Sequence, residues 1–118
     1  MPDSQLLECF DNPQPQRDYE IEHVTEEFTS ICPKTGHPDF AKVTLRYTPA
    51  ATCIELKSLK LYYQSFRNEG IFYEAVTNRI ADDLAQVMQP KWMVIETHWR
   101  GRGGISSTIR VEMTTQST

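Results

Sequence analysis

The chain has 118 residues, enough for one domain with a real core, since a domain of this size buries roughly two-thirds of its unfolded surface. Hydrophobic residues make up 39% and charged residues 24%, an ordinary soluble balance, and no apolar run approaches the roughly 18 residues of a membrane helix. The formal net charge of −4 argues against a general binder of phosphate backbone, whose footprint is basic, while leaving room for one local basic pocket.

The first residues, Met1-Pro2-Asp3-Ser4-Gln5, carry no basic segment followed by an apolar stretch, so no signal peptide is expected and the expected compartment is the cytoplasm. The three cysteines, Cys9, Cys32 and Cys53, are odd in number and widely spaced. Neither a C-x-x-C nor an H-x-x-x-H pair occurs, so no disulfide framework and no metal site are expected.

Residues 1–18 are polar and proline-bearing and read as a flexible arm, with Leu6, Leu7 and Phe10 able to dock. The single domain is expected over 19–114, with a frayed tail at 114–118. Asp18–Thr29 is rich in β-branched and aromatic residues and reads as a strand, its alternation slipping at Glu26-Glu27 as at a bulge. In 41–47, Ala41, Val43, Leu45 and Tyr47 alternate with Lys42, Thr44 and Arg46, a half-buried strand. The Pro- and Gly-bearing segment Cys32–Pro38 joins the two as a long hairpin loop.

A helix is expected over Ser58–Phe66, from Leu59, Tyr62, Tyr63 and Phe66, with Ser58 as N-cap and Asn68-Glu69-Gly70 as stop. A second helix over about Phe72–Met88 carries a stripe of Phe72, Val76, Ile80, Leu84 and Met88 suited to packing on a sheet. Trp92–Trp99 and Ile105–Met113 read as strands, joined by the turn Arg100–Gly104. The order ββααββ predicts an α+β layer: one antiparallel four-stranded sheet with two helices on one face and two open edges.

The chemistry concentrates at Cys32 in the run Ser30-Ile31-Cys32-Pro33-Lys34-Thr35-Gly36-His37-Pro38-Asp39. A hairpin brings Cys32 and Asp39 together. An ordinary thiol, with a pKa of about 8.5, is only a few per cent thiolate at pH 7, so a nucleophile needs nearby positive charge; Lys34, Lys57 and Lys60 are candidates. Asp39 would oppose that ionisation, so its useful role is to manage a proton. Lys57 and Lys60 lie three apart and, with Arg102, can meet phosphate groups, or else form a solvated face. No G-x-G-x-x-G follows a strand, which sets a Rossmann-type site aside. Glu55 and Glu74 are carboxylates able to accept two N–H donors from the edge of a guanine-like ring. His23, His37 and His98 are scattered and read as surface or loop residues.

These runs, together with Glu55-Leu56-Lys57-Ser58-Leu59-Lys60-Leu61-Tyr62 and Ser65-Phe66-Arg67-Asn68, resemble the nitrile reductases that convert 7-cyano-7-deazaguanine (preQ0) to 7-aminomethyl-7-deazaguanine (preQ1), in their short unimodular form. The resemblance spans roughly Glu20 to Glu112. It implies a tunnelling fold whose subunits close into an oligomeric barrel, commonly a decamer of two pentamers, with sites between subunits. It further implies NADPH as cofactor and a place in tRNA queuosine synthesis, without direct nucleic-acid or membrane contact. It makes Cys32 the nucleophile that forms a thioimide and Asp39 the proton donor. Ile54, Glu55, Leu56, Tyr73 and Glu74 are implied as substrate contacts, and Lys57, Lys60 and Arg102 are hypothesised as NADPH contacts. Members usually carry His-Glu where this chain has Tyr73-Glu74; a tyrosine can donate a hydrogen bond but cannot become a cation near pH 7. Two readings compete: a zinc-dependent pterin-forming hydrolase of the same fold, which needs a Cys/His metal set, and a non-catalytic purine- or RNA-binding module, for which Cys32 is dispensable.

Overall fold

Alternation of apolar and polar residues drives the four long strands, because each must bury one face under the helices. The computed structural model describes residues 2–114, apart from the side chain of Arg102. Its elements are a 3-10 turn at Ser4–Leu6, β1 Cys9–Asp11, β2 Ile21–Ile31, β3 Pro38–Thr48, β4 Thr52–Ile54, α1 Leu56–Gln64, α2 Tyr73–Met88, β5 Trp92–Arg102 and β6 Ile105–Thr114. The long strands form an antiparallel sheet in the order β2-β3-β5-β6, with β2 and β6 at its edges. The ββααββ layer expected from the sequence is the architecture found.

On β3, Ala41, Val43, Leu45 and Tyr47 are buried, and across β5 they meet Trp99, Thr97, Ile95 and Met93. The helices cover this face with Leu59, Tyr62, Tyr63 and Phe66 of the α1 segment and Val76, Ile80, Ala81, Leu84 and Met88 of α2. The opposite face carries Lys42, Arg46 and His98, all exposed.

Three local features differ from expectation. Residues 2–12, part of the expected arm, lie against the body: β1 pairs with β4, Leu7 joins the core, and Asn12 donates from Nδ2 to the Ala50 carbonyl at 2.8 Å. Strands of three residues are too short to show periodicity, so neither β1 nor β4 was visible in the sequence. The α1 N-cap is Glu55, three residues ahead of Ser58, whose own side chain is buried. Finally, β5 continues to Arg102, so the turn shrinks to Gly103 and Gly104, both at positive φ where glycine meets no Cβ penalty. The expected frayed tail falls, after Thr114, outside the described residues.

Candidate active site

The site begins with the bulge. The register runs Ile21↔Tyr47, His23↔Leu45 and Thr25↔Val43, then shifts, then resumes Phe28↔Ala41 and Ser30↔Asp39. Odd-numbered residues of β2 face the helices before the shift and even-numbered ones after it. Side chains alternate with period two, so one inserted residue reverses their phase. Beyond Ser30 the pairing persists: the Cys32 N–H donates to the His37 carbonyl at 2.9 Å, and Gly36 N–H donates to the Cys32 carbonyl at 2.9 Å. Gly36 closes the loop at φ +74, a left-handed conformation natural to glycine. Cys32 therefore falls on the same face as Ser30 and Asp39, diagonal to Asp39 at about 7 Å between Cβ atoms. Cys32 is half-buried, and Asp39 is only 5% exposed.

The α1–α2 linker is stitched to the end of β2. Ile31 N–H donates to the Glu69 carbonyl at 2.9 Å, and Ile71 N–H donates to the Ile31 carbonyl at 3.0 Å. This parallel bridge covers the β2 edge at Ile31 alone and delivers the α2 N-terminus beside Asp39. There the Tyr73 hydroxyl donates to Asp39 Oδ1 at 3.4 Å. The Tyr73 ring stacks on buried Trp99, with centroids 4.1 Å apart and planes at 9°. A one-way hydrogen-bond chain backs the stack. Trp99 Nε1 donates to Thr97 Oγ1 at 2.8 Å, the Thr97 and Thr77 hydroxyls meet at 2.6 Å, and Thr77 Oγ1 donates to the Tyr73 carbonyl at 2.9 Å. Thr77's proton is committed to that carbonyl, so Thr97 is the donor between the two threonines. Glu74, next along, is exposed in the first turn of α2. His37, Pro38, Asp39, Phe40, Arg100 and Gly101 line a surface depression over this cluster.

A second cluster gathers at the start of α1. The Glu55 carboxylate accepts from Lys57 N–H at 2.8 Å and Ser58 N–H at 2.7 Å, and these two backbone bonds hold it below the usual carboxylate range. The Ile54 side chain is core, 2% exposed, and its N–H donates to the Tyr47 hydroxyl at 3.1 Å; burial pushes that phenol up to about 12. Leu56, Lys57 and Lys60 are exposed. Between α1 and the β2 edge runs an open groove lined by His23, Phe28, Lys60, Tyr63, Gln64 and Arg67 among others. The Tyr63 hydroxyl is enclosed there with no hydrogen-bond partner among the described residues. Lys57 does not line this groove. Gln64 and Arg67 do, and sequence reasoning passed over them as candidates, although Gln64 stands four residues after Lys60 on the same face of α1 and Arg67 follows in the turn just past its end. The cofactor contact expected at Arg102 rests on a side chain outside the described residues.

The two clusters are not together in one chain. Glu55 and His23 line one depression, whereas Cys32 lies nine residues beyond His23 along β2, about 30 Å at strand rise. Cys9 and Cys53 sit on β1 and β4 beside Glu55, so Cys32 has neither thiol near it within the chain. Among the described residues, no group of three or more His, Cys, Asp or Glu could hold a metal ion, and no helix is long and apolar enough to cross a membrane.

The geometry has counterparts. A family model described as "QueF-like protein" matches residues 38–118. The NADPH-dependent 7-cyano-7-deazaguanine reductase of Pelodictyon phaeoclathratiforme is 60% identical over 106 residues, covering 90% of this chain and 91% of that protein. The protein of the same description from Chlorobaculum tepidum is 56% identical over 107 residues, covering 91% and 92%. A crystal structure of the archaeosine synthase QueF-Like in the apo form superposes with a TM-score of 0.75 at 16% identity, over 84% of this chain and 96% of that one, a likeness of fold alone. With most of its length matched by the family model and by relatives well above half identical, this chain belongs to the QueF-like family.

Proposed function

We propose that the chain is an NADPH-dependent oxidoreductase that reduces the nitrile of 7-cyano-7-deazaguanine to the primary amine, in queuosine synthesis. The observation that carries this reading is the convergence of a half-buried thiol, Cys32, and a buried carboxyl, Asp39, on one face of a bulged hairpin. A bare nitrile is a poor hydride acceptor. Addition of the Cys32 sulfur to the nitrile carbon as the thiolate, its S–H proton released beforehand to solvent, forms a C–S bond and moves one C–N π pair onto nitrogen. Asp39 supplies the proton there, giving a thioimide whose polarised C=N accepts hydride more readily. Tyr73, held by the Trp99 stack and the threonine chain, keeps the Asp39 carboxyl oriented.

The cationic lining of the groove supports placing a phosphate-bearing cofactor there. Lys60 and Arg67 supply cationic donors. NADPH bound there supplies hydride. Lys57 stands outside the groove and is the weaker contact.

Glu74, with Ile54, Glu55 and Leu56, is proposed to grip the deazaguanine. Ile54 contributes backbone rather than side chain, and Glu55 can use only lone pairs left over from its capping bonds. About 30 Å of strand between the clusters far exceeds a two-ring heterocycle. The complete site is therefore assembled from neighbouring copies of this chain, through the open edges of β2 and β6, in a homo-oligomeric barrel, a decamer of two pentamers by family resemblance. The residues given roles here fall within 19–114, with residues 2–12 packed onto that body, and the setting is cytoplasmic.

Intact-protein mass spectrometry after mixing with 7-cyano-7-deazaguanine, without NADPH, tests the reading. One adduct of the ligand's mass is expected on wild type and none on Cys32→Ala. A wild-type protein that binds the ligand by calorimetry yet forms no adduct would favour a non-catalytic binding module.

A further inference from the structure

Ser30 is fully buried, and its hydroxyl has no hydrogen-bond partner among the described residues. Buried hydroxyls almost always find a partner, because leaving one unmade forfeits the hydrogen bond it had in water. Ser30 is also the cross-strand partner of Asp39, so the two Cβ atoms lie about 5 Å apart on the inward face. Rotation about one side-chain bond is enough to aim this hydroxyl at the Asp39 carboxyl. Cys32 follows two residues later on the same face.

We infer that Ser30 is a positioning residue for proton transfer: its hydroxyl donates to the Asp39 carboxylate once the proton has left for the substrate nitrogen. The inference rests on the Cys32–Asp39 reading above. In that step the Asp39 O–H bond breaks, the N–H bond of the thioimide forms, and a carboxylate is left at a position 5% exposed. An anion there needs donors. Tyr73 provides one, and Ser30 stands opposite as a further donor within reach. Other ionisable groups at this end of the elements around Asp39 include Cys32, Lys34 and His37 in the hairpin loop, Glu69 in the linker, Glu74 on α2 and Arg100 on β5.

The test is Ser30→Ala, read by the rate of adduct formation with 7-cyano-7-deazaguanine in the absence of NADPH, from pH 5 to 9. Withdrawing a donor from the carboxylate favours the acid form, so proton delivery slows and the alkaline limb of the profile moves up. The expected change is about a tenfold slower rate and a limb shifted by about one pH unit, one hydrogen bond to a charged group. Ser30→Ala should melt no lower than wild type, because the variant deletes an unpartnered polar atom. On an Asp39→Asn background, Ser30→Ala should slow adduct formation no further. A wild-type rate and profile for Ser30→Ala overturns the inference, as does an effect that multiplies with Asp39→Asn. An adduct that survives Cys32→Ala would instead bring down the nucleophile reading, a separate outcome.

Discussion

Tyr73→Phe removes one hydroxyl and keeps the ring that stacks on Trp99. The lost bond to Asp39 is long, at 3.4 Å, so its worth in the resting protein lies at the low end for a hydrogen bond, about 0.5 kcal/mol. For a domain of this size that is a fall in Tm of about 2 °C. The stack is worth about 1 kcal/mol beyond area burial, and losing a half-buried aromatic adds more, so Tyr73→Ala should cost about 2–3 kcal/mol and about 10 °C. Function should separate from stability. If Tyr73 orients Asp39 for proton delivery, Tyr73→Phe should slow adduct formation about threefold to tenfold while barely moving the melt, because the bond tightens as charge develops. Tyr73→His adds a group that charges below about pH 6.5 beside Asp39. An imidazolium favours the carboxylate and withholds its proton, so this variant should gain an acid limb near pH 6.5 that neither wild type nor Tyr73→Phe shows. Stopped-flow absorbance of the adduct across pH, beside thermal melts, measures all three. A Tyr73→Phe protein with wild-type rate and profile would refute a part for this bond in handling the proton.

Lys60→Ala and Arg67→Ala should each raise KM for NADPH about tenfold, as loss of one charge-assisted contact does, and leave NADPH-free adduct formation unchanged. Lys57→Ala, outside the groove, should change KM much less; steady-state kinetics on the three variants decides. Glu55→Ala should lower Tm at neutral pH by removing the α1 cap. Glu55 titrates lower folded than unfolded, so its stabilisation is present above about pH 4.3 and is lost as pH falls through the folded value. Melts at pH 7 and pH 3 should therefore show the wild-type advantage shrinking with acid.

The hairpin, both helices and the last two strands were legible because each carries a periodic stripe long enough to stand out. On α2, Val76, Ile80, Leu84 and Met88 leave one reading; on β3, Ala41 to Tyr47 leave one reading. The α1 cap was misplaced because Glu55 and Ser58 are both capping residue types three apart. What separates them is the contact of Ser58 Oγ with Glu8 N–H at 3.0 Å, from a segment fifty residues away in sequence. The same holds for β1 and β4, whose pairing is tertiary, with no local signal in three residues. For the site, Cys32 and Asp39 were visible from the hairpin loop, and Tyr73 from resemblance. Ser30 was not, because a serine near a strand end, two residues before a cysteine, has no local mark. Its meaning comes from burial and from the partner opposite.

The bulge at Glu26-Glu27 connects these levels. Without it, period-two alternation would put Phe28 on the outer face and carry Ser30 and Cys32 with it, leaving Asp39 opposite a different side of β2. Two forces hold the phase. Phe28 is 2% exposed and packs edge-on to Tyr63 at 5.8 Å and Trp99 at 5.9 Å, contacts whose loss would cost about 3–5 kcal/mol. The linker bonds at Ile31 fix the strand end independently. On the other side of the bulge, Ile21, His23 and Thr25 are only half-buried, so that half of β2 is the weaker constraint on register. The direction of Cys32, the proposed nucleophile, is thus set by an aromatic core residue four positions upstream and by two backbone bonds to the neighbouring linker. The loop that displays Cys32 is free to be shaped by glycine and proline, because it does not itself decide which way the sulfur points.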